Sequence, residues 1–272
     1  MSTDDDKLLG AFARFLELQA TLGADHAREQ QLSAAEGSRL ADDDKATHPI
    51  QISQFVSYCL MQAADMAESS RAMLRRDDGT IELPLVALYP LLRAQIESAS
   101  MAAWVLAPED RRTRVVRRLQ AGHDELTFDT ALVKSGLVGK TAAETHDTVR
   151  KEATRRKAHR QHLRDVAAAN GIFADEYENC RPSWETIVRD AGEALGIEHE
   201  KLVFMWRLAS GFTHPSMRRG ALGLAFSDIE INDGIVRGTL SARSDWMLMI
   251  LAISHRATHA AVAKWHDSKA TP

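Results

Sequence analysis

Apolar residues recur every three or four positions along most of this 272-residue chain, a spacing that lays a continuous stripe along one side of an α-helix. Leu8, Leu9, Phe12, Phe15, Leu16 and Leu18 predict an amphipathic first helix over residues 4–22. Residues 23–47 are polar and poor in aromatics, the pattern of a loose helix or a linker. Pro49 suits the first turn of a helix. From there Ile52, Phe55, Val56, Cys59, Leu60 and Ala63 carry the stripe through a long helix reaching about residue 76. Asp77, Asp78 and Gly79 end it with turn chemistry.

Residues 84–107, opened by Pro84, are apolar almost all round. Such a helix belongs at the centre of a bundle, because no face of it is suited to water. Pro108 stops it, and residues 109–135 resume as a charged, arginine-rich helix. Thr141 and Glu144 form a capping-box signature for a helix over 142–170, which Gly171 ends. Ser183 is a suitable N-cap for a short helix to about Leu195, and a further helix covers 199–213. Only one stretch reads as extended: apolar segments on either side of Asn232, Asp233 and Gly234 predict a hairpin. Ser241 or Ser244 then starts a last helix to about His266. The pattern predicts an all-α helical bundle with one small β-hairpin near residues 222–240. Its organisation reads as an acidic N-terminal helix and linker over 1–48, followed by a single helical domain over 49–272.

Composition agrees with a folded globular chain: 44% hydrophobic and 26% charged residues, with only 7 prolines and 15 glycines. The net charge of -4 conceals a local imbalance, because residues 111–164 hold 14 Lys and Arg against 6 Asp and Glu. A basic stripe of this kind is either a nucleic-acid footprint or a solvated helical face. Asp4–Asp6 and Asp42–Asp44 supply part of the acidic counterweight. Cys59 and Cys180 offer neither metal-ligand spacing nor a disulfide framework. The N-terminus is acidic where a signal peptide would be basic, and the longest apolar run, Trp246 to Ile253, is too short to span a bilayer. The expectation is a cytoplasmic protein without a membrane partner.

Chemistry concentrates in Trp206–Pro215. Arg207 and His214 are seven residues apart, which on a helix brings both side chains to one face with Ser210 between them. A fixed cation beside a titratable imidazole can bind a phosphate and move a proton; the same pair can equally be a satisfied polar contact in a core. Inside the apolar helix, Arg93 and Glu97 stand four apart. Exposed helices favour the opposite order, glutamate first. A buried charge needs partners, so other helices must supply them, with Arg207, Ser210 and His214 as candidates. His255 and His259 have a spacing that can hold zinc, but no third ligand accompanies them. His159 and His162 lie in the basic helix. No Glu-x-x-His pair, glycine-rich phosphate loop or Gly-x-Ser-x-Gly elbow is present, so neither a metal nor a cofactor is expected.

The stretch from Tyr89 to Arg118, with Leu91, Leu92, Arg93, Glu97, Trp104 and Pro108, resembles uncharacterised helical proteins common in actinobacteria. Trp206, Arg207, Ser210 and His214 belong to the same pattern. Both stretches resemble, more distantly, the HEPN superfamily of helical nucleotide- and RNA-binding domains, over about residues 84–220. Many HEPN proteins carry an arginine, four to six residues, then a histidine; Arg207 and His214 fit with six between them. The resemblance implies metal-independent RNA cleavage at a homodimer interface, in a protein of toxin or defence type. His214 would be general acid or base on the ribose hydroxyl or leaving oxygen, and Arg207 would stabilise charge on the phosphate. Active members usually have a polar residue directly after the arginine, where Leu208 stands here. The alternative is a non-enzymatic helical protein that binds a partner or small ligand, with the Arg/Glu/His set as a buried structural network. Geometry separates them: Arg207 and His214 either line an open cleft or are sealed inside packing.

Overall fold

The computed structural model describes residues 3–136, 142–215, 217–233 and 235–271. Among these residues it is an all-α helical bundle with one small antiparallel hairpin. The helices are α1 (Thr3–Gln31), α2 (Arg39–Thr47), α3 (Ile52–Leu74), α4 (Leu88–Leu106), α5 (Arg111–Ser135), α6 (Ala142–Ala169), α7 (Trp184–Ala194), α8 (His199–Thr213), α9 (Met217–Gly223) and α10 (Ser244–Lys269). The strands β1 (Leu224–Asn232) and β2 (Ile235–Ala242) lie between α9 and α10. Thr141 and Gly234, which entered the predicted capping box and turn, lie outside the described residues.

Where periodicity was strong the elements follow it, and where polar residues interrupted it the structure differs. The first helix runs nine residues beyond position 22 because its stripe continues through polar side chains: Phe12, Leu16, Gln19, Leu22 and His26 are all buried. Part of the 23–47 stretch forms α2 instead of a linker. Ser38 starts it, its Oγ accepting from the Ala41 amide at 3.3 Å. The end of α2 in turn organises the start of α3. Thr47 Oγ1 accepts from the Ile52 amide at 3.3 Å, and Asp44 Oδ1 accepts from the Ser53 amide at 2.9 Å. Pro49 therefore sits ahead of α3, not in its first turn, and Pro84 likewise precedes α4 by four residues.

The packing separates into two units. One comprises Met1–Ser33, Ser57–Trp104 and Trp184–Asp267; the other Ala34–Val56, Val105–Ser183 and Ser268–Pro272. In the first unit α4 is buried through most of its length, with Leu88, Tyr89, Leu92, Ile96, Ala99, Ala102 and Trp104 all inside. A buried polar relay ties three helices together. The Gln19 and Gln95 side-chain amides bond each other at 3.1 and 3.3 Å, and Gln95 Nε2 donates to Thr258 Oγ1 at 3.1 Å. Every member finds a partner, as a buried polar group requires.

In the second unit α5 and α6 pack around Val115, Leu119, Leu126, Leu163, Val166 and Ala167, joined by Ile50, Ile172 and Tyr177. Beside this core lies a buried ion pair. Arg114 donates from Nε to Asp43 Oδ2 at 2.6 Å and from Nη2 to Asp43 Oδ1 at 2.7 Å. Its Nη1 donates to the carbonyls of Pro108 and Glu109 at 2.8 and 2.6 Å. Arg118 donates to the Ile50 carbonyl at 3.1 Å, with its guanidinium 4.6 Å over the Phe55 ring. Part of the basic stripe is thus interior scaffolding and not available to a ligand.

The hairpin pairs Leu224 with Ala242, Phe226 with Leu240 and Glu230 with Arg237, interrupted by a bulge between Ser227 and Glu230. There Asp228, at φ 52, and Ile229 oppose the single Gly238. A Cβ at Gly238 would lie 3.0 Å from the Ser227 carbonyl oxygen, so a side chain there would make the bulge give by a few tenths of an ångström.

Candidate functional site

Helix α8 holds its place through Leu202, Val203, Met205, Ala209 and Gly211, which are buried. That leaves Arg207 on the outward side, and its side chain is 61% exposed. Arg207 Nη2 donates to Glu185 Oε2 at 2.5 Å, while Arg189 Nη2 reaches Glu185 Oε1 at 3.1 Å. Glu185 accordingly keeps its carboxyl below the ordinary range, first through the Arg207 hydrogen bond and then through the charges of Arg207 and Arg189. Helix α7 thus supplies a counter-ion for the arginine that α8 exposes.

Trp206 and Glu97 form a separate contact. Trp206 Nε1 donates to Glu97 Oε1 at 2.8 Å, and Arg93 Nε donates to the same oxygen at 2.9 Å. The Arg93 and Glu97 side chains retain 25% and 18% exposure, so the pair is half-buried. The 206–214 segment does supply a partner for the α4 pair, and the residue that reaches it is Trp206. Ser210 turns back into its own helix, donating from Oγ to the Trp206 carbonyl at 2.8 Å. Phe212 stacks on Tyr89, with ring centroids 4.3 Å apart. Burial pushes the Tyr89 phenol up to about 12.

His214 is the C-cap of α8, with extended dihedrals (φ -115°, ψ 143°), and it is exposed. The helical register that spacing predicts for Arg207 and His214 therefore stops at Thr213. Pro215 follows, and the exposed residues Arg218 and Arg219 come next on α9. A Cβ at Gly211 would meet Arg219 Cδ at 3.2 Å, so this arginine lies against the last turns of α8. The structure thus divides the predicted set. Arg93, Glu97 and Ser210 are hydrogen-bonded within the protein, whereas Arg207 and His214 are exposed, Arg207 in its pair with Glu185. Sequence reasoning missed Glu185, Arg189 and Arg219. Glu185 and Arg189 are legible as a pair four apart on α7, but nothing local links them to Arg207.

His255 is buried, with Phe15 edge-on at 6.2 Å and the His259 ring at 6.2 Å. Burial, and next the neighbouring His259, lower its pKa. His159 is half-buried and His162 exposed. Among the described residues no group of three or more His, Cys, Asp and Glu is arranged to hold a metal ion. No helix among them is long and apolar enough to cross a membrane.

Neither a protein-family model, nor a curated protein, nor a solved structure matches this chain.

The half-buried pair allows a direct check. Glu97→Ala removes the acceptor shared by Arg93 and Trp206, and hydrogen bonds to a charged group contribute about 1.5–3 kcal/mol. The variant should lose stability in that range by urea denaturation, and Trp206→Phe should lose a smaller part of it. A midpoint unchanged in Glu97→Ala would show that the shared acceptor contributes nothing.

Proposed function

We propose that this is a HEPN-like helical protein that engages RNA or a nucleotide phosphate at the C-terminal end of α8, with metal-independent RNA cleavage as its activity. One observation carries the reading: Arg207 and His214 are both solvent-accessible there, while their polar neighbours are committed to internal bonds. Arg207 would hold a phosphate oxygen through its planar fork of donors. His214 would take the proton from the attacking 2′-hydroxyl or deliver one to the departing 5′-oxygen. The phosphorus gains one P–O bond as it loses the other. Arg219 beside α8 adds positive charge where the phosphate would sit. A second copy, expected from the resemblance, would supply the other proton-transfer group.

Binding without cleavage is the second reading, and a specific contact favours it. Glu185 already occupies Arg207, and a phosphate must displace that carboxylate before Arg207 can act on it. An exposed ion pair is weak enough to exchange.

The test is purified protein incubated with mixed single-stranded RNA in EDTA, alongside Arg207→Ala and His214→Ala. Cleavage by the wild type should fall about 10²–10⁴-fold in His214→Ala, the usual contribution of general acid–base catalysis. Arg207→Ala should fall comparably, with circular dichroism unchanged in both. If nothing is cleaved but RNA binds, with Arg207→Ala binding more weakly and Glu185→Gln more tightly, the second reading stands. Neither cleavage nor binding overturns both.

A further inference from the structure

At the end of α8 opposite Arg207 and His214, the chain encloses a pocket of about 330 Å³. Phe15 of α1, Ile197 just ahead of α8, and Met249 and Ile253 of α10 give it an apolar lining. Glu198, Lys201 and Arg256 supply charge, and His255 is the one buried polar side chain in the wall. His255 is 8% exposed, and its Nδ1 has no hydrogen-bond partner among the described residues. Buried polar atoms are almost always bonded, so an orphan in the wall of a pocket marks a place for a ligand's polar atom. A half-turn about χ2 swaps the two edges of the ring at little torsional cost, which makes the nitrogen available to the pocket. Burial, and next His259, lower the His255 pKa, so near neutral pH the ring is uncharged and offers one donor and one acceptor. The start of α8 adds a second attraction. Its N-cap, Glu198, makes no side-chain capping bond, and the helical ladder opens with the Leu202 amide on the Glu198 carbonyl at 3.0 Å. The amides of His199, Glu200 and Lys201 precede that bond, and a helix start of this kind attracts anions.

We propose that this pocket binds a small monocarboxylic acid with an apolar body about the size of one aromatic ring. The carboxylate lies at the start of α8 beside Lys201, the body packs on Phe15, Met249 and Ile253, and His255 donates to one carboxylate oxygen. Charge sets the class. Lys201 is exposed and has no ion-pair partner among the described residues. Arg256 gives one bond to the Gly196 carbonyl at 2.9 Å and keeps further donors. Glu198 is the only carboxylate in the lining. Glu200, in the same turn, lies 3.7 Å from Arg189 and 3.4 Å from His199, outside the lining. Two cations against one carboxylate leave a single positive charge, which suits a monoanion and disfavours the second charge of a phosphate. Volume sets the size. Small-molecule sites run from about 300 to 1,000 Å³, and a pocket at the bottom of that range takes one ring or a short chain, not a nucleotide.

The test is calorimetric titration of the full chain with phenylpropionate, at mildly alkaline pH and without RNA. Binding should appear with a Kd of roughly 10 µM to 1 mM, ordinary for about a dozen heavy atoms. Phenylpropanol keeps the ring and loses the charge, and benzylphosphonate carries a second charge; each should bind about tenfold more weakly or worse. Lys201→Gln should weaken phenylpropionate by about tenfold or more, and Lys157→Gln, on α6, should leave it unchanged. His255→Phe keeps the ring's bulk, removes its nitrogens and should weaken binding several-fold. Since that substitution is buried, Met249→Trp is the second probe. Met249 is 40% exposed, so the fold should tolerate the indole, which fills the pocket and should abolish binding with circular dichroism unchanged. No heat at millimolar phenylpropionate overturns the proposal. Equal binding of phenylpropanol overturns it by making the site indifferent to charge, and tighter binding of benzylphosphonate overturns the choice of a monoanion. Binding that both Lys201→Gln and Met249→Trp leave intact overturns it by placing the ligand elsewhere. The pocket is argued independently of Arg207 and His214, so a failed titration leaves that reading standing, and failed RNA cleavage leaves this one standing.

Discussion

Replacing Asp43 by alanine is expected to destabilise the protein by about 3–5 kcal/mol, the usual cost of leaving one partner of a buried ion pair without its counter-charge. The Asp43 and Arg114 side chains are 1% and 3% exposed, so the stranded guanidinium cannot recover its hydration without opening the structure. Two of its hydrogen bonds would vanish with the carboxylate, while those to the Pro108 and Glu109 carbonyls would still hold it inside. Domains of ordinary stability have about 5–15 kcal/mol in total, so this one change removes a large share. Asp43→Asn, which keeps an acceptor but loses the charge, should fall between the wild type and alanine. Asp43→Leu combined with Arg114→Met should cost less than Asp43→Ala alone, since an apolar replacement of both partners leaves no buried charge. Urea denaturation of the wild type and these three variants measures this. A loss below about 1 kcal/mol in Asp43→Ala would mean the pair is hydrated in solution.

Trp104→Ala should cost about 3–5 kcal/mol, the range for emptying a large aromatic from a core. Trp104 heads the fully buried side chains by volume, and the residues on either side of it from Ala99 to Leu106 are all buried. With α4 enclosed, no neighbouring element can collapse freely into the space, which places the cost toward the upper end of the range. Phe128→Ala on α5 is the control: that ring is exposed, so its loss should stay within about 0.5 kcal/mol. Comparable losses in the two variants would contradict the burial of α4.

Much of the fold was legible because it is written in local periodicity. Helix α8 covers the residues its sequence pattern predicts, α4 is enclosed as its all-round apolarity requires, and the hairpin falls within two residues of its expected span. Helix α1 runs past the predicted end at residue 22 because its stripe continues at His26; Gln19 and His26 fill that stripe with polar side chains, which hydropathy counts as outside. Their burial is stabilised by Gln95 and by the Ser57 carbonyl, which lie 76 and 31 residues away and so are invisible to any local window.

The candidate site divides along the same line. By itself the sequence determined which residues share a helix: Arg93 with Glu97, Arg207 with Ser210, and Glu185 with Arg189. It also determined that the α4 pair would need help from another helix, because charge inside an apolar helix is costly unless paired. Only the tertiary structure decided that Trp206 would meet Glu97, that Glu185 would take Arg207, and that His214 would leave the helical register at an exposed cap. It likewise decided that Asp43, one of three consecutive aspartates, would be drawn inside to Arg114. The physical reason is that periodicity follows from backbone geometry over a few residues. The choice among several chemically equivalent partners depends instead on which side chains the packing of distant segments brings within about 3 Å of one another.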